Sequence, residues 1–85
     1  MGKFNVVFIK SALKQLRSFP SSTQPKISDA INIRLIDTPY VADGKHIKKL
    51  TDGYRLRVGE YRVFYYIESR VVTITSIVRR TSTTY

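Results

Sequence analysis

Cysteine is absent from the 85 residues. That excludes a disulfide framework and any thiolate metal site. There is one histidine, His46, so no side-chain set for a zinc centre can be assembled. Acidic residues number six and are scattered, which leaves paired-carboxylate chemistry and nucleophile triads without their parts. No glycine-rich phosphate loop of the P-loop or GxGxxG kind occurs. No apolar run nears the roughly 20 residues of a membrane-spanning helix. The opening MGKFNVVFIK is too short and too alternating for a signal peptide. Val6 stands where a myristoylation signal needs Ser or Thr. The expectation is a soluble, cytoplasmic, single domain over residues 1–85, with no membrane partner and no cofactor.

Positive charge is what the chain has in excess. Fifteen Lys and Arg against six Asp and Glu give a formal net charge of +9. On so small a surface this creates a field that attracts nucleic acid, acidic proteins or anionic membrane. The clustering of the arginines favours nucleic acid among these.

That clustering lies in the stretch Tyr54–Arg79, YRLRVGEYRVFYYIESRVVTITSIVR, three alternating runs joined by two short turns. Tyr54, Leu56 and Val58 alternate with Arg55 and Arg57, the period of a strand with one apolar and one polar face. Gly59-Glu60 suits a two-residue type II′ hairpin turn. This loop sets Val58 against Tyr61, Arg57 against Arg62 and Leu56 against Val63. With Ser69-Arg70 as the second turn, Arg62 faces Ile77 and Arg79 follows on the same side. Arg55, Arg57, Arg62 and Arg79 then share one face. Tyr54, Leu56, Val58, Tyr61, Val63, Tyr65, Ile67, Val72, Ile74 and Val78 share the other, which reads as the core.

Before this meander, Phe4, Val6 and Phe8 alternate with Asn5, Val7 and Ile9, a strand expected to be partly covered on both faces. Ser11 reads as the cap of a short helix with Ala12, Leu13, Leu16 and Phe19 on one side, stopped by Pro20. Ser21, Ser22 and Thr23 precede a second helix running to Asp37. Its stripe is Ile27, Ala30, Ile31 and Leu35, widened by Ile33 and Ile36. Tyr40 to Gly53 reads as irregular, a basic loop with Lys45, His46, Lys48 and Lys49 that could extend the arginine surface. The order is β-α-α-β-β-β. The fold class is α+β: a two-helix hairpin packed on one face of a mainly antiparallel sheet.

What remains for chemistry is charge. Arginine presents a planar fork of donors that matches a phosphate and stays protonated. Several around one phosphate stabilise a pentacoordinate transition state. RNA carries its own nucleophile, the 2′-OH, so a metal-free protein could cleave it by orientation and charge. Phe64 and Tyr66 share the parity of the arginine face. Either they stack a base or they pack under a neighbouring element.

These residues carry a family likeness. GYRLRVGEYRVFYYIESRVVTITSIVRR, preceded by KKL and followed by a late Tyr, resembles the RelE/ParE superfamily of toxins, most densely over Leu50–Arg80. The resemblance to the RelE branch implies the toxin of a type II toxin–antitoxin system. It would be a ribosome-dependent mRNA endonuclease that cuts in the A site through the 2′-OH and blocks translation. It implies catalytic roles for Arg57, Arg62, Arg79 (or Arg80) and Tyr85, with Arg55, Arg80, Lys45, Lys48, Lys49 and His46 binding RNA. The best-known RelE pattern has lysines where Arg55 and Arg57 stand. Arginine is a poor proton carrier, which moves proton transfer to Tyr85, with His46 behind it. The resemblance also implies an acidic antitoxin bound as a hetero-oligomer. The alternatives are a ParE-like inhibitor of DNA gyrase and a non-catalytic nucleic-acid-binding module.

Overall fold

A computed structural model of the chain describes residues 3–43 and 45–80. The elements are β1 (Asn5–Phe8), α1 (Lys10–Ser18), α2 (Thr23–Arg34), β2 (Ile47–Lys49), β3 (Tyr54–Val58), β4 (Tyr61–Glu68) and β5 (Val71–Arg79). One five-stranded sheet has the order β1-β5-β4-β3-β2, with β1 parallel to β5 and every other pair antiparallel. Both helices lie on one face of it, their Ala12, Leu16, Ile27 and Ile31 packed with Leu56, Val63, Tyr65, Val72, Ile74 and Ile77. The α+β expectation holds. Among the described residues no helix is long and apolar enough to cross a membrane.

The two hairpins follow from their turn residues. Gly59 sits at φ +59° with Glu60 in the ordinary region, as a type II′ turn requires. Ser69 and Arg70 both take positive φ, 51° and 64°, the pattern of a type I′ turn, despite their side chains. The β3–β4 register is as read from the sequence: Val58 opposite Tyr61, Arg57 opposite Arg62, Leu56 opposite Val63.

The β4–β5 register departs from that reading. Phe64 pairs with Ser76 but Tyr65 pairs with Ile74, so Thr75 is an extra residue in β5. Such a bulge shifts the pairing by one and swaps the two faces beyond it. Arg62 therefore faces Val78, not Ile77. Ile77 is the core residue, and Val78 lies on the open face. A side chain of α1 secures the shifted segment: the Gln15 Oε1 accepts the Ile77 N–H at 2.8 Å, beyond the point where β1 has ended.

Other differences are smaller. The segment expected to be an irregular basic loop contains the edge strand β2, so the order gains a strand. Asp43 starts it: its Oδ1 accepts the backbone N–H groups of Lys45, His46 and Ile47 at 2.8, 2.7 and 3.0 Å. β1 is covered on the helix side only, because it is a sheet edge whose other face has no second layer; Val7 is exposed there. α1 begins at Lys10 with no side-chain cap, so Ser11 is inside the helix. α2 ends at Arg34 rather than Asp37. Ile33 is 71% exposed and does not widen the buried stripe. It sits six residues after Ile27, off the 3.6-residue period. Beyond α2 the chain is held by Tyr65, whose hydroxyl donates to the Pro39 carbonyl at 2.7 Å in the interior. Burial, then Tyr54 and Asp43, push this phenol well above the usual range.

Candidate nucleic-acid interface

With both helices on one side, the other face of the sheet is open, and alternation along the strands decides what stands on it. β3 contributes Arg55 and Arg57, β4 contributes Arg62, Phe64 and Tyr66, and β2 contributes Lys48, opposite Arg55. Past the bulge, β5 contributes Ser76 and Val78. Arg80 follows Val78 at the same parity, its N–H donating to the Glu60 carbonyl at 2.6 Å. The result is a cluster of Arg55, Arg57, Arg62 and Arg80.

Arg55 reports the crowding. Partial burial, then the charges of Arg62, Arg57 and Arg80, lower its pKa from the ordinary value. Its Nε is enclosed and has no hydrogen-bond partner. No described carboxylate lies within ion-pair distance of the four arginines. An arrangement of like charges with an unsatisfied donor costs stability. An anion entering between them would reverse both costs. The guanidinium forks match phosphate oxygens in particular.

Arg79 is not on this face. The bulge sets it opposite Tyr61 on the helix side. There its Nη2 lies 3.3 Å from Glu60 Oε1. The arginine at the end of the last strand that joins the cluster is Arg80. Lys49 also turns to the helix side, opposite Tyr54, with its Nζ 5.1 Å from the centre of that ring. Lys45 is exposed in the turn that leads into β2.

His46 is engaged elsewhere. Its Nε2 is 3.4 Å from Arg34 Nη2, and its Nδ1 is 3.4 Å from Asp43 Oδ2. Arginine can only donate, so Nε2 accepts and Nδ1 carries the proton toward Asp43. The ring ties the end of α2 to the start of β2. Tyr85 lies outside the described residues.

The structure gathers Arg55, Arg57, Arg62 and Arg80 on the open face, and comparison with known proteins identifies the family. The ParE toxin family of type II toxin–antitoxin systems, parDE, matches residues 6–83. The chain belongs to the RelE/ParE superfamily of type II toxins. A protein of Methanocaldococcus jannaschii named as the candidate toxin RelE1 is 35% identical over 83 residues, covering 92% of this chain and 91% of that one. Among solved structures, the RelBE2 toxin–antitoxin complex of Mycobacterium tuberculosis superposes with a TM-score of 0.76 at 21% identity, covering 92% of this chain and 99% of that one. The isolated E. coli RelE toxin gives 0.76 at 20% identity, covering 95% and 88%. The RelE–RelB complex of Pyrococcus horikoshii gives 0.73 at 24%, covering 94% and 98%. At these identities the structural likeness shows a shared RelE fold.

The sequence reading set Arg79 on the arginine face, and the structure sets Arg80 there instead. The only signal for this exchange was the run Thr73–Ser76, where two small polar residues flank Ile74 and Thr75 without an apolar partner at the next step. Nothing in that run names which residue is extra.

Proposed function

We propose that this toxin cleaves mRNA bound to the ribosome through the RNA's own 2′-OH, with the arginine cluster as the catalytic surface. The observation that carries the reading is four arginines on one open sheet face with no described carboxylate to neutralise them. The 2′-oxygen attacks the adjacent phosphorus, and the P–O5′ bond breaks. A cyclic phosphate remains on one fragment and a 5′-OH on the other. Arg57, Arg62 and Arg80 balance the charge that builds on the phosphoryl oxygens, as preorganised donors do. Arg55 and Lys48 hold the flanking backbone. The proton of the 2′-OH must leave and the 5′-oxygen must gain one. Arginine does neither well, and Tyr85 takes this role. Arg79 is retained only as a peripheral contact, since Glu60 already engages it.

An antitoxin with an acidic binding segment completes the system as a hetero-oligomer, and the toxin acts in the cytoplasm where translation runs. Support comes from the similar structures that are RelE–RelB complexes and from the excess positive charge that such a segment would meet.

The family match to ParE favours a second reading, inhibition of DNA gyrase without RNA cleavage. Inducing the protein and mapping mRNA 5′ ends, with and without translation of a reporter, separates the two. Cuts confined to translated frames are expected. Intact mRNA accompanied by supercoiling defects would replace the nuclease with the gyrase inhibitor.

A further inference from the structure

Beside the arginine cluster the chain forms a cleft of about 700 Å³. Its wall is the turn Leu50–Gly53, closed by the Leu50 N–H donating to the Gly53 carbonyl at 2.7 Å. Its floor includes Phe64, Tyr66 and Thr75, the extra residue of the β5 bulge. Gly53 is what brings wall and floor together. A Cβ there would meet the Tyr65 carbonyl oxygen at 2.5 Å and the Tyr66 Cβ at 3.4 Å. Without one, the turn lies against β4 and leaves the aromatic side chains uncovered.

The aromatic residues divide by face. On the helix side, Tyr54 stacks on Tyr65 and Phe19 packs on Tyr61, with centroids 5.5 and 4.7 Å apart. No described ring or cation pairs with Phe64 or Tyr66, and Tyr66 is 40% exposed. Phe64 stands directly opposite Arg55, and Arg62 precedes it by two residues on the same strand. That same-face step is about 7 Å, close to the reach from a phosphate to the base it carries. Lys49 and Asp52 both line the cleft and offset each other, so its lining carries no net charge and is otherwise rich in aromatic side chains, which suits a neutral, flat group.

We propose that the cleft holds one unpaired RNA base, stacked on Phe64 and Tyr66, while the arginine cluster holds the adjoining phosphate. The proposal rests on the RNA reading above and adds a subsite to it. Stacking of this kind tolerates any base, because each presents a π-face.

The test is an NMR titration of the full chain with 3′-AMP, ribose 5-phosphate and inorganic phosphate. The nucleotide shifts Gly53, Tyr66 and Thr75, whereas the two base-free probes shift only the arginine side chains. Tyr66→Leu weakens 3′-AMP binding by at least about fivefold, the low end for one lost stack, and leaves ribose 5-phosphate binding unchanged. Phe64→Leu does the same from the neighbouring position. Equal shifts at the cleft with ribose 5-phosphate would overturn the proposal. So would equal losses of both ligands in Tyr66→Leu. The mapping of mRNA ends stands apart from this titration. Base binding in the cleft without any RNA cuts removes the nuclease and keeps the subsite. RNA cuts with no response of Gly53 and Tyr66 to 3′-AMP keep the nuclease and remove the subsite.

Discussion

Arg57 and Arg62 stand directly opposite each other across the β3–β4 ladder, two like charges side by side on the open face. Facing like charges destabilise a sheet by tenths of a kcal/mol up to about 1 kcal/mol. A site assembled this way opposes the stability of its own scaffold. Arg62→Gln is therefore expected to raise the melting temperature by about 1–5 °C at low salt and nearly to abolish mRNA cleavage. The rise should shrink in added salt, which screens exposed charges. Thermal unfolding at two ionic strengths checks it. A lower melting temperature at low salt would mean that packing of the Arg62 stem outweighs the repulsion.

The bulge at Thr75 assigns different work to two adjacent arginines. Arg80→Ala should cut activity far more than Arg79→Ala, because only Arg80 joins the cluster that acts on Arg55. Arg79 makes an exposed ion pair with Glu60, and such pairs contribute about 0–1 kcal/mol. Growth arrest on induction of each variant, with unfolding curves alongside, decides the matter. Equal loss in both would mean that Arg79 leaves Glu60 when substrate binds.

Asp43 links pH to the integrity of β2. The backbone N–H groups of Ile47, His46 and Lys45 hold its carboxyl well below the usual carboxylate range, with a smaller contribution from the His46 ring. A folded-state value below the unfolded one makes the contribution complete above the ordinary aspartate value near 3.9. It is lost as pH falls toward the depressed folded value. Asp43→Asn keeps an acceptor oxygen but no charge. Its stability deficit against the natural chain is expected at pH 7 and should narrow at pH 3. Urea unfolding at both pH values measures it, and a constant deficit would show that the charge is irrelevant.

Gly53 and Gly59 tolerate a methyl group differently. At Gly53 the added carbon meets the Tyr65 backbone carbonyl at 2.5 Å. Overpacking against backbone costs about 1–3 kcal/mol. At Gly59 nothing lies within 4 Å, and the cost comes only from holding alanine at φ +59°, about 1–2 kcal/mol. Gly53→Ala should be the more destabilising of the two and should also displace the turn over Phe64 and Tyr66. Denaturant midpoints give the order. A milder effect at Gly53 would mean that the turn lifts away freely.

Much of the architecture is legible in local pattern. The alternation of Tyr54, Leu56 and Val58 with Arg55 and Arg57 sets two faces, and Gly59-Glu60 makes a short turn that sets the register. The stripe Ile27, Ala30, Ile31 and Leu35 follows from helical period, and its members are buried or partly buried. Pattern was silent on β2. Its three residues, Ile47–Lys49, carry too little alternation to announce a strand, and they pair because β3 presents an open edge.

By itself the sequence determined the class of the fold, the excess of positive charge, and the pairing of Arg57 with Arg62, because each depends on residues close along the chain. Tertiary structure decided which arginine closes the cluster. The identity of the extra residue in β5 depends on how two strands settle under α1, with Gln15 binding Ile77 across 62 positions of sequence. A period of two carries a single-residue error forward without limit. Arg79 and Arg80 thus exchanged faces through a contact that no local pattern encodes.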